Sequence, residues 1–154
     1  MTNLASEVLS ALSGKTLATA ESCTGGMIGE MLTAVSGSSA VYKGGIISYW
    51  SEVKHSLLGV EEDLLREYGP VCAPVAEAMA AGARKALDSD VAVSVTGLAG
   101  PTGDDFGNPV GTVFIGYADG EKTVVQEYHF VGDREAVRRQ SAITALEIVL
   151  KNCK

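Results

Sequence analysis

Apolar residues at helical spacing, Leu4, Val8, Leu9 and Leu12, run up to Gly14 and predict a helix over 3–13 that ends where a C-terminal glycine is expected. "TLATA" then reads as a short strand over 16–20. "GGMIGEMLTAV" reads as a helix with Met27, Ile28, Met31 and Leu32 facing inward, which makes a strand-turn-helix unit with almost no loop. After the turn-rich "SGSSAVYKGG", the β-branched and aromatic stretch "GIISYW" predicts a strand over 45–50, and "SEVKHSLL" a short helix that Ser51 could cap. Helical spacing returns in "EEDLLREYG" and again from Pro74 through "VAEAMAAGARKAL", whose alanines predict close packing. "DVAVSVTG" reads as a buried strand, "LAGPTGDDFGNPVG" as a loop, and "TVFIGYA" and "KTVVQEYHFV" as strands split by the turn "DGE". An amphipathic helix from Asp133 to about Cys153 closes the chain, with Val137, Ala142, Ile143, Leu146 and Leu150 inward. Strands separated by helices, followed by a hairpin-like pair, predict a three-layer α/β/α sandwich around a mixed sheet.

Composition narrows the class. A chain of 154 residues suits one domain spanning 1–154, with 46% hydrophobic and 20% charged residues, enough for a core without disulfides or metal. Three scattered cysteines, Cys23, Cys72 and Cys153, point to a reducing compartment rather than a disulfide framework. The first residues lack a basic start and a continuous apolar run, and no window reaches membrane-span length, so a cytoplasmic location without membrane attachment is expected. A net charge of -7 fits poorly with nucleic acid as a partner. Any phosphate must be held by local donors.

The strand-to-helix turn "ESCTGG" lifts Ser22 out of the sheet beside the unsatisfied amides of the following helix. Cys23, Thr24, Gly25 and Gly26 supply candidate N–H groups for an oxyanion, and the paired glycines would let a substrate approach the backbone. The blander alternative is that Ser22 or Thr24 caps the helix, a contribution of about 1 kcal/mol. Cys23 is a second possible nucleophile, but the two histidines, His55 and His129, sit in a polar helix and a late strand, and a buried structural thiol is the simpler reading. No His, Cys and carboxylate spacing resembles a zinc site, so neither metal nor cofactor is expected.

Tyr49 and Lys54 bracket a strand-helix junction. Lys54 could activate a serine if burial brought its pKa from about 10.4 toward 7 to 8, a shift of roughly 4 kcal/mol. A solvated surface lysine is the alternative. Thr96 and Gly97 end their strand near the same sheet edge, and the long loop after them is of the kind that carries function. In "GDREAVRRQ", Arg134 and Arg138 share a helix face suited to phosphate or carboxylate, unless they form only a solvated basic face. The turn "SGSS", with Ser38 and Ser39, offers further phosphate donors.

In this order, "AESCTGG", "GSS", "GG" before a Tyr and a Lys, "TGLAGPTG", "PVGTV" and "GDREAVRRQ" strongly resemble the CinA C-terminal domain family, the nicotinamide-nucleotide amidases. The resemblance covers nearly the whole chain. It implies an α/β/α fold and hydrolysis of the carboxamide of nicotinamide mononucleotide to nicotinate mononucleotide and ammonia, with Ser22 as nucleophile and Lys54 as its base. Tyr49 and Thr96 would orient the ring or the dyad. Substrate would meet Cys23, Thr24, Gly25, Gly26, Ser38, Ser39, Gly97 and Arg138. Many relatives carry a pterin-binding-like domain ahead of this one, and a symmetric homodimer is expected. Three departures from the family pattern bear on the site: Trp50 and Ser51 replace a Ser-Asn pair after the tyrosine, Asn108 replaces a lysine, and "GPVC" replaces "GAVS". They leave room for a rival reading, a non-catalytic nucleotide-binding module acting with a partner in competence or DNA-damage responses.

Overall fold

The structure, a computed structural model, describes residues 2–153. Its elements are α1 (Thr2–Ala11), β1 (Leu17–Glu21), α2 (Met27–Thr33), a 3-10 turn (Ser38–Ala40), β2 (Tyr42–Ile47), α3 (Ser51–Leu58), α4 (Glu62–Tyr68), α5 (Ala73–Ala86), β3 (Val91–Gly97), β4 (Thr112–Ala118), β5 (Thr123–His129) and α6 (Arg134–Asn152). The five strands lie in the order β2-β1-β3-β4-β5, with β1 parallel to both neighbours and β4 antiparallel to β3 and β5. The expected mixed sheet is therefore present, and helices cover both faces.

Alternation along the strands divides the core. Val91, Val93 and Val95 turn toward Val8 of α1, Leu12 just after it, Ile28 and Leu32 of α2, and Val137 and Leu146 of α6. The other face presents small residues, Ala18, Ala20 and Ala92, to Val75, Met79 and Ala83 of α5 and to Leu58 at the end of α3. Small side chains let α5 approach closely, as its alanines predict. A Cβ at Gly116 would lie 2.6 Å from the Ala76 carbonyl oxygen, and one at Gly82 would lie 2.0 Å from that of Leu58. Gly82 thus seats α3 directly on α5.

Two local expectations are corrected. β2 begins at Tyr42, three residues before the predicted strand, because Lys43 is an extra residue between the pairs Leu17–Tyr42 and Ala18–Gly44. Gly44, at φ 146°, supplies the backbone that this bulge needs. Ser51 does not cap α3: Trp50 occupies the cap position and no side chain bonds there, because an indole has no acceptor.

The order of the parallel strands switches sides at β1, with β2 next to it on one side and β3 on the other. In such sheets a crevice opens beyond the carboxyl ends of the strands. Ser22, Ser48 and the Thr96–Gly97 pair stand at those three ends.

Candidate active site

Ser22 follows the last residue of β1, and its amide donates to the Val95 carbonyl at 3.0 Å, which fixes it against β3. Glu21, just before it, is 2% exposed and turns back under the turn. Its carboxylate accepts from Thr24 Oγ1 and from the amides of Gly26, Ile28 and Gly29 at 2.8–3.1 Å. A carboxylate is well suited to the start of a helix, where amides lack intrahelical partners.

Of the predicted oxyanion donors, Gly26 N–H is therefore engaged by Glu21, and Gly25 N–H by the Ser22 carbonyl at 3.1 Å. Those two amides are unavailable to substrate. Among the described residues, the amides of Cys23 and Thr24 donate to no oxygen. The Thr24 side chain points at Glu21 rather than into the cleft.

Lys54 comes from the first turn of α3, and the seating of that helix on α5 carries it inward until it is only 1% exposed. Its Nζ lies 2.9 Å from Ser22 Oγ, 2.7 Å from the Ser48 carbonyl and 3.3 Å from the Tyr49 carbonyl. As an ammonium it would donate in all three directions. As a neutral amine it keeps two N–H groups on the carbonyls and turns its lone pair to the Ser22 hydroxyl. None of the ion pairs among the described residues involves Lys54. Burial without a counterion lowers its pKa to about 8.

Cys23 lies beside the pair, but burial pushes its thiol up to about 11. It stays protonated near neutrality. Neither histidine reaches the site: His55 contacts Glu62 and the Val60 carbonyl, and His129 contacts Glu127 and Thr112.

A cleft of about 290 Å³ opens over these groups, lined by Ser22, Cys23, Tyr49, Lys54, Pro70, Thr96, Gly97 and Arg134 together with residues 98–100. Thr96 Oγ1 donates to the Pro70 carbonyl at 2.7 Å. A backbone carbonyl makes this contact, so proline in "GPVC" does not prevent it. Gly97 cannot carry a side chain, since a Cβ would come within 2.6 Å of Val113 Cγ2. Asn108, which stands where the family pattern has lysine, binds Asp104 and the Val71 carbonyl and so ties down the long loop.

The two arginines have separate surroundings. Arg134 lines the cleft and donates to the Gly100 carbonyl at 2.8 Å and the Tyr49 hydroxyl at 3.1 Å. Arg138 lies behind the turn, donating to the carbonyls of Cys23 at 2.9 Å and Thr24 at 3.1 Å. Ser38 and Ser39 precede β2 and lie at the opposite end of the sheet, roughly 17 Å away along a five-residue strand. Within one chain they do not share the cleft with Ser22.

The family model for the CinA C-terminal domain matches residues 1–153. The chain belongs to the CinA C-terminal domain family. A CinA-like protein of Geobacter sulfurreducens is 51% identical over 134 residues, covering 87% of this chain and 32% of that protein. This CinA domain thus spans about a third of the length of the curated relatives it matches. Among solved structures, a CinA superfamily protein from Klebsiella pneumoniae superposes with TM-score 0.95 at 31% identity, over 99% of this chain and 96% of that one. A second, from Escherichia coli, gives 0.94 at 34% identity, over 97% and 88%.

Several features of the CinA site are not apparent in the pattern of residues. Glu21 lies inside the recognised motif without an evident role, although a carboxylate ahead of a helix start is the available signal. Ser48 acts through its carbonyl, which any residue would supply. The Arg134 contact to Tyr49 joins residues 85 positions apart.

Proposed function

We propose that this CinA domain is a nicotinamide-nucleotide amidase that hydrolyses the carboxamide of nicotinamide mononucleotide through a Ser22–Lys54 dyad. The observation that carries the reading is Lys54 itself: buried, without a counterion, and 2.9 Å from a serine hydroxyl at the mouth of a cleft. A lysine held in this way supplies a base near neutral pH without a histidine.

In this mechanism Ser22 Oγ attacks the carboxamide carbon while Lys54 takes the hydroxyl proton on its lone pair. The carbonyl oxygen becomes an oxyanion, for which the amides of Cys23 and Thr24, which donate to no oxygen among the described residues, are the candidate donors. Lys54 passes its proton to the departing nitrogen, ammonia leaves, and an ester on Ser22 remains. Water then attacks that ester with Lys54 again as base, releasing nicotinate mononucleotide and restoring Ser22. Thr96 and Tyr49 shape the walls that hold the pyridine ring.

For the phosphate, Arg134 is the cation at the cleft, and a guanidinium matches phosphate oxygens well. Arg138 keeps a supporting place because it does not line the cleft and instead holds the carbonyls of Cys23 and Thr24. The homodimer expected for this chain is part of the same proposal, as is small-molecule substrate rather than nucleic acid. Release of ammonia from nicotinamide mononucleotide by the purified chain tests the activity. No release above a no-protein control would favour the rival, a binding module.

A further inference from the structure

Glu21 is linked to both halves of the dyad without lining the cleft. Its carboxylate, 2% exposed, accepts from Thr24 Oγ1 and three amides at the start of α2, so the turn that carries Ser22 is fastened from below. Its main-chain carbonyl accepts from the Ser48 amide at 2.7 Å. The Ser48 carbonyl, in turn, receives Lys54 Nζ at 2.7 Å. One residue therefore sets the nucleophile through its side chain and the base through its backbone.

The charge arrangement fits the same role. A buried carboxylate needs compensation, and here it comes from helix-start amides and a hydroxyl rather than from the nearby lysine. Glu21 makes no ion pair among those of the described residues. Lys54 is thereby left without a counterion.

We infer that Glu21 is a positioning residue that fixes Ser22 relative to Lys54 by fastening the turn through the α2 amides and Thr24, and that it does not act as a counterion of Lys54. The inference rests on the dyad reading but not on the identity of the amide substrate. Glutamine at position 21 keeps the size but must turn an NH₂ toward an N–H donor, which loosens the turn.

The test is the rate at which a fluorophosphonate, a serine-directed reagent, labels Ser22, measured at equal folded content. In Glu21→Gln the rate constant should fall by roughly tenfold, with the midpoint of the labelling pH profile unmoved. Thr24→Ala should slow labelling several-fold and Thr24→Ser should restore it, and this pair decides the matter if Glu21→Gln does not fold. Undiminished labelling in Glu21→Gln, or failure of Thr24→Ser to recover what Thr24→Ala loses, would overturn the positioning role. So would a midpoint displaced by about a unit, because Glu21 would then be setting the charge of Lys54. A parent chain that the reagent does not label would overturn the dyad, and the positioning role with it. A labelled parent that releases no ammonia from nicotinamide mononucleotide would leave the role of Glu21 intact and reject only the substrate.

Discussion

Arg134 donates to the hydroxyl of Tyr49 across the mouth of the cleft, at 3.1 Å, joining the first turn of the last helix to the short connection between β2 and α3. Arg138, one turn later on the same helix, holds the carbonyls of Cys23 and Thr24 instead. Neighbouring arginines thus serve different parts of one site.

That division predicts separable kinetic effects. Arg134→Ala should narrow the preference for nicotinamide mononucleotide over its riboside, a preference expected to be at least about tenfold, or 1.4 kcal/mol. Arg138→Ala should slow both substrates by similar factors, because it loosens the turn that both use. The measurement is kcat/KM for both substrates in both variants. A riboside preference unchanged by Arg134→Ala would remove Arg134 from phosphate recognition.

The pKa of Lys54 sets the pH dependence. Neutral Lys54 is the active form, so kcat/KM should rise about tenfold per pH unit below a midpoint of about 8 and level off above it. A flat profile between about pH 6 and about pH 9 would contradict proton transfer to Lys54.

The same burial carries a cost in stability. Lowering the pKa from 10.5 to about 8 disfavours the charged folded form by roughly 3 kcal/mol. Between these values the unfolded chain binds more protons than the folded one, so the parent gains stability as pH rises through this window. Lys54→Met should therefore be more stable than the parent below pH 8, with the difference shrinking toward 10.5. Denaturant melts near the two ends of the window check this. A variant less stable at every pH would mean that the lysine contacts outweigh its desolvation.

The extent to which this site could be read in advance follows the range of the contacts. Local periodicity placed the helices, the central strands and the strand-helix turn of Ser22, because each depends on neighbours a few residues away. The first residues of β2 read as a turn because Gly44 and Gly45 follow a serine- and glycine-rich stretch, whereas in the sheet Gly44 accommodates the bulge and Gly45 pairs with Thr19. The cleft depends on pairings that periodicity does not encode, such as Lys54 with Ser22 over 32 positions. Ser38 and Ser39 look like phosphate donors by composition, but their place before β2 puts them at the far end of the sheet. Gly26 reads as an oxyanion donor from its place in the motif, but the carboxylate of Glu21 occupies its amide.

The central claim is that Ser22 is a nucleophile whose proton goes to neutral Lys54. The most direct measurement compares ammonia release from nicotinamide mononucleotide by the parent, Ser22→Ala, Cys23→Ala and Lys54→Arg at equal folded content. Arginine keeps its charge at any workable pH and cannot accept the proton. Ser22→Ala and Lys54→Arg should each lose roughly a thousandfold or more in kcat. Cys23→Ala should retain most of the rate, since its thiol, pushed up to about 11, supplies no thiolate. A Lys54→Arg variant with most of the parent rate, or an active Ser22→Ala beside an inactive Cys23→Ala, would contradict the account.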